Sequence, residues 1–357
     1  MQEPVRSTSF GQARRRSARC LVGVLAGIAL LASAAMAQTP PKIVAKNQLL
    51  RIQLYPGTIL NLPIWVAADG GFCQAHGLRC EPTSIPSGPL ALQALAAGSL
   101  EIMYASTEVI TAAASRGNDV QVFVGHSPNN IYTLNISNKV SLPNLAAGYP
   151  AVMKDLKGMR IGVTARGAGT ELLTRALLLG AGMTPDDVTF VASGSPTTSY
   201  PTFVARQIDA GMMFQPFRTL CEVQKTCVVG VDLAKGDGPE DLRALNGGFE
   251  TFAARRAFIE ANGLAIDAFI QAMTEAIAWM QDPANFDKLM SITRKYLTLG
   301  DIPDADAILV QLVKTETPKF GVKIDRKSIQ AFSDFLIKYK LIEQPVSAST
   351  LVYSKAP

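Results

Sequence analysis

The sequence has few of the residues that most often build metal and catalytic sites. Histidine occurs only twice in 357 residues, as His76 and His126, and charged residues make up 18% of the chain. Zinc bound by cysteines is the alternative, but the C-x6-C and C-x5-C spacings differ from those of the usual zinc motifs. We therefore expect no metal and no cofactor.

Long apolar runs are also scarce. Beyond residue 37, no stretch has 18 or more uninterrupted apolar residues, so this part of the sequence predicts no membrane-spanning helix. Hydrophobic residues nevertheless make up 48% of the chain, which excludes a disordered or fibrous protein. The length, at roughly 150 residues per domain, predicts a compact protein of about two domains.

Motifs of nucleotide-binding and hydrolytic enzymes are missing. Gly167 and Gly169 belong neither to a G-x-G-x-x-G motif nor to a P-loop with its lysine. Ser195 follows Gly194 but does not lie in the G-x-S-x-G nucleophile elbow. No cluster of cysteine and histidine suggests an iron site. We therefore expect a protein that is not an enzyme.

The sequence does have a positively charged N-terminal segment. Residues 1–20 carry five arginines and one glutamate, an apolar stretch follows at 21–31, and Ala35 and Ala37 form an A-x-A pattern. This order is typical of a secretory signal peptide at residues 1–37, with cleavage after Ala37. A retained membrane anchor is the alternative, and both ordinary and twin-arginine export stay open.

Most of the excess positive charge lies in this same segment. The whole chain carries a formal charge of +5, and removal of residues 1–37 would leave +1. A nearly neutral protein lacks the basic field that binds nucleic acid. We therefore expect a secreted protein, a monomer, with no nucleic-acid partner.

Four cysteines remain beyond the expected cleavage site. An even number of cysteines in an oxidising compartment favours disulfides. Their close spacing favours the local pairs Cys73 with Cys80 and Cys221 with Cys227 over the two other connectivities.

Short apolar runs alternate with Gly/Pro/Ser loops and amphipathic helices, which predicts an α/β fold. The pattern predicts strands at 50–54, 78–83, 100–104 and 120–124, and helices at 62–76, 89–97 and 107–115. A second half repeats this order, and segments 98–103 and 206–212 match each other as a turn followed by a strand that contains an acid. Residues 255–357 read as mostly helical.

Several short motifs occur in an order that is similar to that of a known family. They are residues 65–72 (WVAADGGF), 76–78 (HGL), 87–88 (SG), 94–98 (ALAAG), 155–158 (DLKG) and 208–210 (IDA). Together they resemble the substrate-binding proteins of ABC importers, in particular the nitrate/sulfonate/taurine subgroup, which is also called NMT1/THI5-like. The resemblance covers almost all of the chain beyond residue 37.

The resemblance implies an α/β, two-lobed periplasmic binding protein type II fold with two crossover segments and a helical C-terminal region. Lobe 1 would comprise residues 48–127 and 252–357, and lobe 2 residues 135–232. The implied function is capture of a solute in the periplasm and its delivery to an ABC permease in the membrane. A sensory protein that acts with a chemoreceptor is one alternative, and a pyrimidine-biosynthesis enzyme of the same superfamily is another.

The loops that follow the strands are rich in Ser, Thr, Gly and Asn, and ligands of open α/β sheets bind at these strand ends. Helix N-termini in such loops favour anions. The candidate ligand-binding residues are Thr58, Asn61, Ser87, Gly88, Ser106, Thr107, His126, Arg166, Gly167, Gly169, Thr170, Ser195, Thr197, Phe214 and Gln215.

Arg166 is the most specific of these candidates. It lies between a strand and a Gly-rich turn at a helix start, where a guanidinium can pair with a carboxylate, sulfonate or phosphate. We therefore expect a small organic anion as the ligand. Alternatives stay open: Arg166 on the lobe surface, His126 as a structural histidine, Thr107 as a helix cap, and Phe214 packed beneath the cleft.

Overall fold

The structure is a computed structural model that describes residues 42–357. The expected signal peptide, with its cleavage site after Ala37, lies outside the described residues. Within the described residues, no helix combines the length and the apolar character that a membrane span requires.

The strands form sheets of two, three and five members. Their bounds are β1 Gln48–Leu54, β2 Leu78–Ser84, β3 Met103–Ser106, β4 Val120–Ser127, β5 Thr133–Ser137, β6 Arg160–Val163, β7 Thr189–Ala192, β8 Ala210–Met213, β9 Cys227–Asp232 and β10 Glu250–Arg255.

The first two sheets join into one layer. Strand β1 pairs in parallel with β2, and β10 lies between β3 and β4 and is antiparallel to both. Ile52 of β1 forms a bridge to Ile102, directly before β3, and the Gln53 N–H donates to the Ile102 carbonyl at 2.9 Å. The strand order across this layer is therefore β2-β1-β3-β10-β4.

The five-stranded sheet has the order β7-β6-β8-β5-β9, which repeats the order of the first layer. Strands β6, β7 and β8 are parallel, and β5 is antiparallel to its neighbours, as β10 is in the first layer. Strands β3 and β8 occupy equivalent places, which fits the matching segments 98–103 and 206–212. The α/β, two-lobed architecture is as predicted.

Helices cover the faces of both layers. Their bounds are α1 Leu62–Asp69, α2 Phe72–Ala75, α3 Gly88–Ala96, α4 Thr107–Ser115, α5 Gly169–Gly180, α6 Pro196–Val204, α7 Phe217–Val223, α8 Arg256–Ala261, α9 Gly263–Gln281, α10 Phe286–Tyr296, α11 Ala305–Glu316, α12 Arg326–Lys338 and α13 Ala348–Leu351. The C-terminal helices pack on the first layer, since α9 contacts α1 and α2, α12 contacts α4, and α13 contacts β4.

The helix expected at 62–76 is two helices in the structure. Helix α1 ends at Asp69, and Gly71 takes a left-handed conformation with φ of 82° before α2 begins. Glycine reaches this conformation without the steric cost that a Cβ brings. The Gly-Gly pair therefore breaks the apolar stripe that suggested one continuous helix.

Two crossover segments connect the layers: residues 128–132, between β4 and β5, and residues 233–249, between β9 and β10. The Pro128 carbonyl accepts hydrogen bonds from the N–H groups of Gly247 and Phe249, at 2.7 and 3.2 Å. Asn246 Oδ1 accepts from the Asn130 N–H at 3.1 Å. The chain thus passes twice between the layers at one place. The lobe limits 48–127, 135–232 and 252–357 stay a prediction.

Both expected cysteine pairs are joined. Cys73 is bonded to Cys80, which links α2 to β2, and Cys221 is bonded to Cys227, which links α7 to β9. The Cα atoms of the pairs are 6.1 and 5.6 Å apart, within the usual range. Each bond therefore closes a short loop between a helix and the strand that follows it.

We predict that changing Cys73 and Cys80 together to alanine lowers the free energy of unfolding by about 2–3 kcal/mol, because the unfolded chain gains the freedom of the opened loop. Urea unfolding followed by circular dichroism measures this change. The same double change at Cys221 and Cys227, which opens a loop of similar length, gives the comparison value. A midpoint that does not move for either variant would contradict the prediction.

Candidate functional site

A small enclosed space lies where the two lobes meet, beside the crossover segments. It has a volume of about 10 Å³, which is roughly the room that one water molecule requires. Its walls come from the chain segments after β1, β2, β6 and β8, from the junction of β3 and α4, from the first crossover and from the start of β10. The lining residues are Tyr55, Leu60, Gly88, Ser106, Val109, Tyr132, Thr164, Ala168, Gly169, Phe214 and Glu250.

Aromatic rings form much of this wall. The ring of Tyr55, in lobe 1, lies 5.9 Å from that of Phe214, in lobe 2. Tyr132, on the first crossover, lies 6.1 Å from Phe214 and 5.4 Å from Phe249 on the second crossover. All four side chains are buried. A ligand larger than water therefore enters only if the lobes move apart or these rings turn.

The lobes also touch through polar groups. Thr58 Oγ1, in lobe 1, donates a hydrogen bond to the Gln215 carbonyl of lobe 2 at 2.7 Å. The Tyr132 hydroxyl donates to Ser106 Oγ at 3.1 Å. A Cβ at Gly169, the first residue of α5, would lie only 2.2 Å from Ser106 Oγ. A side chain at position 169 would therefore displace Ser106 and Glu108 or hold the lobes farther apart.

Two buried carboxyl groups lie in this region. Glu108, in the first turn of α4, is 0% exposed, and Glu250, the first residue of β10, is 2% exposed. Burial raises the pKa of Glu108 to about 8. Burial also raises the pKa of Glu250 well above its usual value, and the nearby Glu108 carboxylate adds to this effect. Among the described residues that line the space, none carries a positive charge.

Four of the candidate residues from the sequence line the enclosed space: Gly88, Ser106, Gly169 and Phe214. Three more form the contacts between the lobes just outside it. Thr58 bonds to the backbone of Gln215, and the Thr197 methyl group lies against Gly57.

Arg166 does not reach the enclosed space. Its side chain is 59% exposed, and its Nε donates to Glu171 Oε2 at 3.0 Å. The Gly167 N–H donates to the same oxygen at 2.7 Å, and the guanidinium lies over the Phe190 ring. Arg166 and Gly167 therefore lie outside the enclosed space in this arrangement, because both donate to the buried Glu171 carboxylate of α5, and their role in ligand binding stays a prediction.

His126 is a structural histidine, which was the alternative interpretation. Its Nε2 lies 2.8 Å from the Leu60 carbonyl, and its Nδ1 lies 3.2 Å from Ser127 Oγ. The ring stacks on Tyr104 at 4.7 Å, and burial lowers its pKa to about 4. The side chain therefore stays neutral in the core and does not line the cleft.

Thr107 also has a structural role, although not as a helix cap. Its Oγ1 donates to the Gly248 carbonyl at 2.6 Å and lies 3.1 Å from Thr251 Oγ1. Helix α4 has Ser106 as its N-cap residue, with no side-chain capping bond. Thr107 therefore binds the second crossover to lobe 1.

The other candidates lie in the second layer of the wall. Asn61 Oδ1 accepts hydrogen bonds from the Tyr55 N–H and the Tyr104 hydroxyl, and Thr170 Oγ1 accepts from the Thr164 N–H. These contacts position Tyr55 and Thr164. Ser87 and Ser195 are buried N-cap residues of α3 and α6, and neither makes a side-chain capping bond.

Four residues of this region were not among the candidates from the sequence: Tyr55, Glu108, Tyr132 and Glu250. A signal for the two acids was present, because each is the only charged residue in a long uncharged run: Glu108 in residues 102–115 and Glu250 in residues 244–254. Acids are rarely buried without a partner, so such isolated acids deserve to be treated as site candidates.

A larger cavity of about 300 Å³ lies beside the crossovers and is lined partly by Gln215. The charged groups in its wall already pair with each other. Arg218 lies 2.6 Å from Asp232, and Lys319 lies 2.7 Å from Glu316. We therefore place the candidate ligand site at the enclosed space and not in this cavity.

The strand order, the paired crossovers and the site between the lobes define the fold of periplasmic binding proteins. A solved protein of Bordetella bronchiseptica RB50 shares it with a TM-score of 0.71 and 21% identity, over 86% of this chain and 95% of that one. The alkanesulfonate-binding protein SsuA of Xanthomonas axonopodis pv. citri, bound to MOPS, shares it with a TM-score of 0.69 and 19% identity, over 87% and 99%.

Residues 55–294 match the model of the NMT1-like family, and the chain belongs to this family. A protein of Brucella abortus (strain 2308), whose binding function is itself only proposed, is 27% identical over 277 residues, which is 75% of this chain and 77% of that protein. The resemblance in the short motifs is thereby confirmed. The Brucella protein and SsuA are named for binding and not for catalysis.

We predict that Gly57→Ala holds the lobes apart. Gly57 has a φ of 62°, and a Cβ there would lie 1.9 Å from the Thr197 methyl carbon of lobe 2. Small-angle X-ray scattering should show a larger radius of gyration for the variant. Gly71→Ala is the control, because Gly71 has a φ of 82° and a Cβ there meets nothing within 4 Å. Equal radii for the two variants would argue against the contact.

We predict that stability falls as the pH rises from 6.5 to 8. Folded Glu108 keeps its proton up to a pH of about 8, whereas the unfolded chain releases it near pH 4.5. The stabilisation that this proton gives to the folded state is therefore complete below pH 4.5 and lost by about pH 8. His126 acts in the opposite direction, but only below its usual pKa of 6.5. Each proton contributes roughly 1.4 kcal/mol per pH unit, so Glu108 alone should give a fall of about 1–2 kcal/mol, and Glu250 should add to it.

Urea unfolding at several pH values measures this slope. Glu108→Gln should flatten it, and Glu250→Gln should act in the same direction, because both side chains then stay neutral at every pH. A wild-type stability that rises between pH 6.5 and 8 would refute the assignment.

Proposed function

We propose that this protein is the solute-binding component of an ABC importer, which captures a small molecule between its lobes and delivers it to a membrane permease. The observation that supports this most is the enclosed space at the strand ends of both lobes, beside paired crossovers. Membership of the NMT1-like family and the fold shared with a sulfonate-binding protein support the same proposal.

The contacts between the lobes explain how capture would work. Tyr55 meets Phe214, and Thr58 meets Gln215, only when the lobes are together. A solute that binds both walls stabilises this closed arrangement over the open one, which is the hinge closure expected of a two-lobed binder. The permease would then recognise the closed surface of both lobes at once.

We propose a periplasmic location for the mature chain, a monomer exported by the segment at 1–37 and cleaved after Ala37. The two disulfides support this location, because such bonds persist in oxidising compartments and are rare in the cytosol.

The ligand we propose is a small organic molecule that fits between aromatic rings. The expectation of a sulfonate or carboxylate depended mainly on Arg166, whose guanidinium pairs with Glu171 outside the enclosed space. Tyr55, Tyr132 and Phe214 instead offer flat apolar faces, and Ser106 offers a hydroxyl. This lining favours a planar organic solute over nitrate.

We predict that a thermal-shift panel of sulfonates, nitrate, aromatic carboxylates, pyrimidines and amidines contains a solute that raises the melting temperature. Mass spectrometry should recover this solute chemically unchanged, as a binder requires. Phe214→Ala should lower its affinity at least tenfold, because a wall of the site is lost.

Phe190→Ala is the matched control, since Phe190 lies under Arg166 and outside the site. Equal losses of affinity in the two variants would count against the site. Conversion of the solute to a product would identify an enzyme instead.

A further inference from the structure

We infer that the solute carries a positively charged nitrogen group, such as an amidinium or guanidinium, that binds between Glu108 and Glu250. This inference rests on the proposed function, because it names the ligand class of the same site. It replaces the organic anion that Arg166 suggested.

The carboxyl groups of Glu108 and Glu250 have unmet hydrogen-bonding capacity. No hydrogen bond of normal geometry reaches either oxygen of Glu108 or Oε2 of Glu250 in the described part of the chain, although the nearby Ser106 hydroxyl opposes the effect of burial on the pKa of Glu108. A buried polar atom without a partner is costly, and native proteins contain few of them. The unpartnered oxygens therefore point to a donor that comes from outside the protein.

Other buried acids of this chain are paired with basic side chains. The Glu171 carboxylate binds Arg166 and Arg175, and Glu316 binds Lys319 at 2.7 Å. Both of these glutamates are also buried, at 3% and 6% exposure, and each has a basic partner of its own. Glu108 and Glu250 lack a corresponding basic partner among residues 42–357.

The two carboxyl groups both lie at the enclosed space. Glu250 lines the enclosed space. Glu108 Oε1 lies against Gly169, since a Cβ at that glycine would be 2.3 Å from the oxygen, and Gly169 lines the same space. One acid thus comes from α4 and the other from the end of the second crossover, and lobe 2 closes over both.

The electrostatics around the two acids favour a bound cation over a bound anion. The titratable groups that face the two acids are the hydroxyls of Tyr55, Tyr104 and Tyr132, which are neutral at physiological pH because burial raises the pKa of each well above 10. A bound anion would therefore meet two acids and no cation. A bound cation would satisfy both acids and lie against aromatic rings, where cation–π attraction adds to its binding.

This arrangement links binding to the release of protons. Burial raises the pKa of both acids, so the closed site without a cation holds protons on them. A singly charged cation displaces one of these two protons into solvent, so that one acid becomes a carboxylate and the other stays a neutral carboxyl group. Affinity for a cation should therefore rise with pH, whereas affinity for an anion should fall.

The test is calorimetry with three probes of one shape and different charge: benzamidine, benzamide and benzoate, with methylguanidine as a smaller cation. We expect benzamidine or methylguanidine to bind at least tenfold more tightly than benzamide and benzoate. We also expect the affinity of the cation to increase severalfold between pH 6.5 and 8.5.

The variants Glu108→Gln and Glu250→Gln should lower the affinity of the cation at least tenfold. Glu101→Gln is the matched control, because Glu101 pairs with Arg51 away from the cleft, and it should leave affinity unchanged. Glutamine keeps the size of glutamate and buries no charge. The cleft variants should therefore unfold at pH 8 no earlier than wild type, which separates lost binding from lost folding.

Binding of benzoate or of the sulfonate MOPS without binding of either cation would overturn this inference and leave the proposed function intact. If no solute of the wider panel binds either, the proposed function fails together with it. A cation whose affinity is unaffected by both cleft variants would also overturn the assignment to Glu108 and Glu250.

Discussion

The Pro128 carbonyl, shared by the N–H groups of Gly247 and Phe249, is the interaction on which the arrangement of the lobes depends. It holds the two crossover segments side by side. A rotation of one lobe relative to the other must therefore bend both segments. Loops far apart in sequence, such as those after β1 and β8, meet beside this double connection. The cleft is thus a product of the crossovers more than of any one wall.

The same connection explains why acids without partners are tolerated. Glu250 is the point at which the second crossover enters β10, and Glu108 lies at the start of a helix that packs beside it. In the proposed mechanism, water reaches these groups when the lobes separate and removes the cost of their burial. Closure is then unfavourable until a solute supplies the missing donors.

The fold was largely predictable, since local patterns decide it. Helix α4 begins and ends where its apolar stripe and the preceding strand indicated, and the close cysteine pairs are bonded as their spacing favoured. The strands β5, β9 and β10 were not predicted, because they are antiparallel strands fixed by the crossovers and not by alternation. Arg166 was misplaced for a related reason: its partner Glu171 lies in the first turn of α5, and sequence alone did not show which carboxylate the guanidinium would bind.

The contact between Gly169 and the pair Ser106 and Glu108 sets the smallest separation that the lobes can reach. A side chain at position 169 would hold the two lobes apart by an amount that depends on its size. A series from alanine to larger residues would therefore yield proteins fixed at graded degrees of opening. Such a series would show whether a permease responds to the angle of the clamp or to the solute inside it.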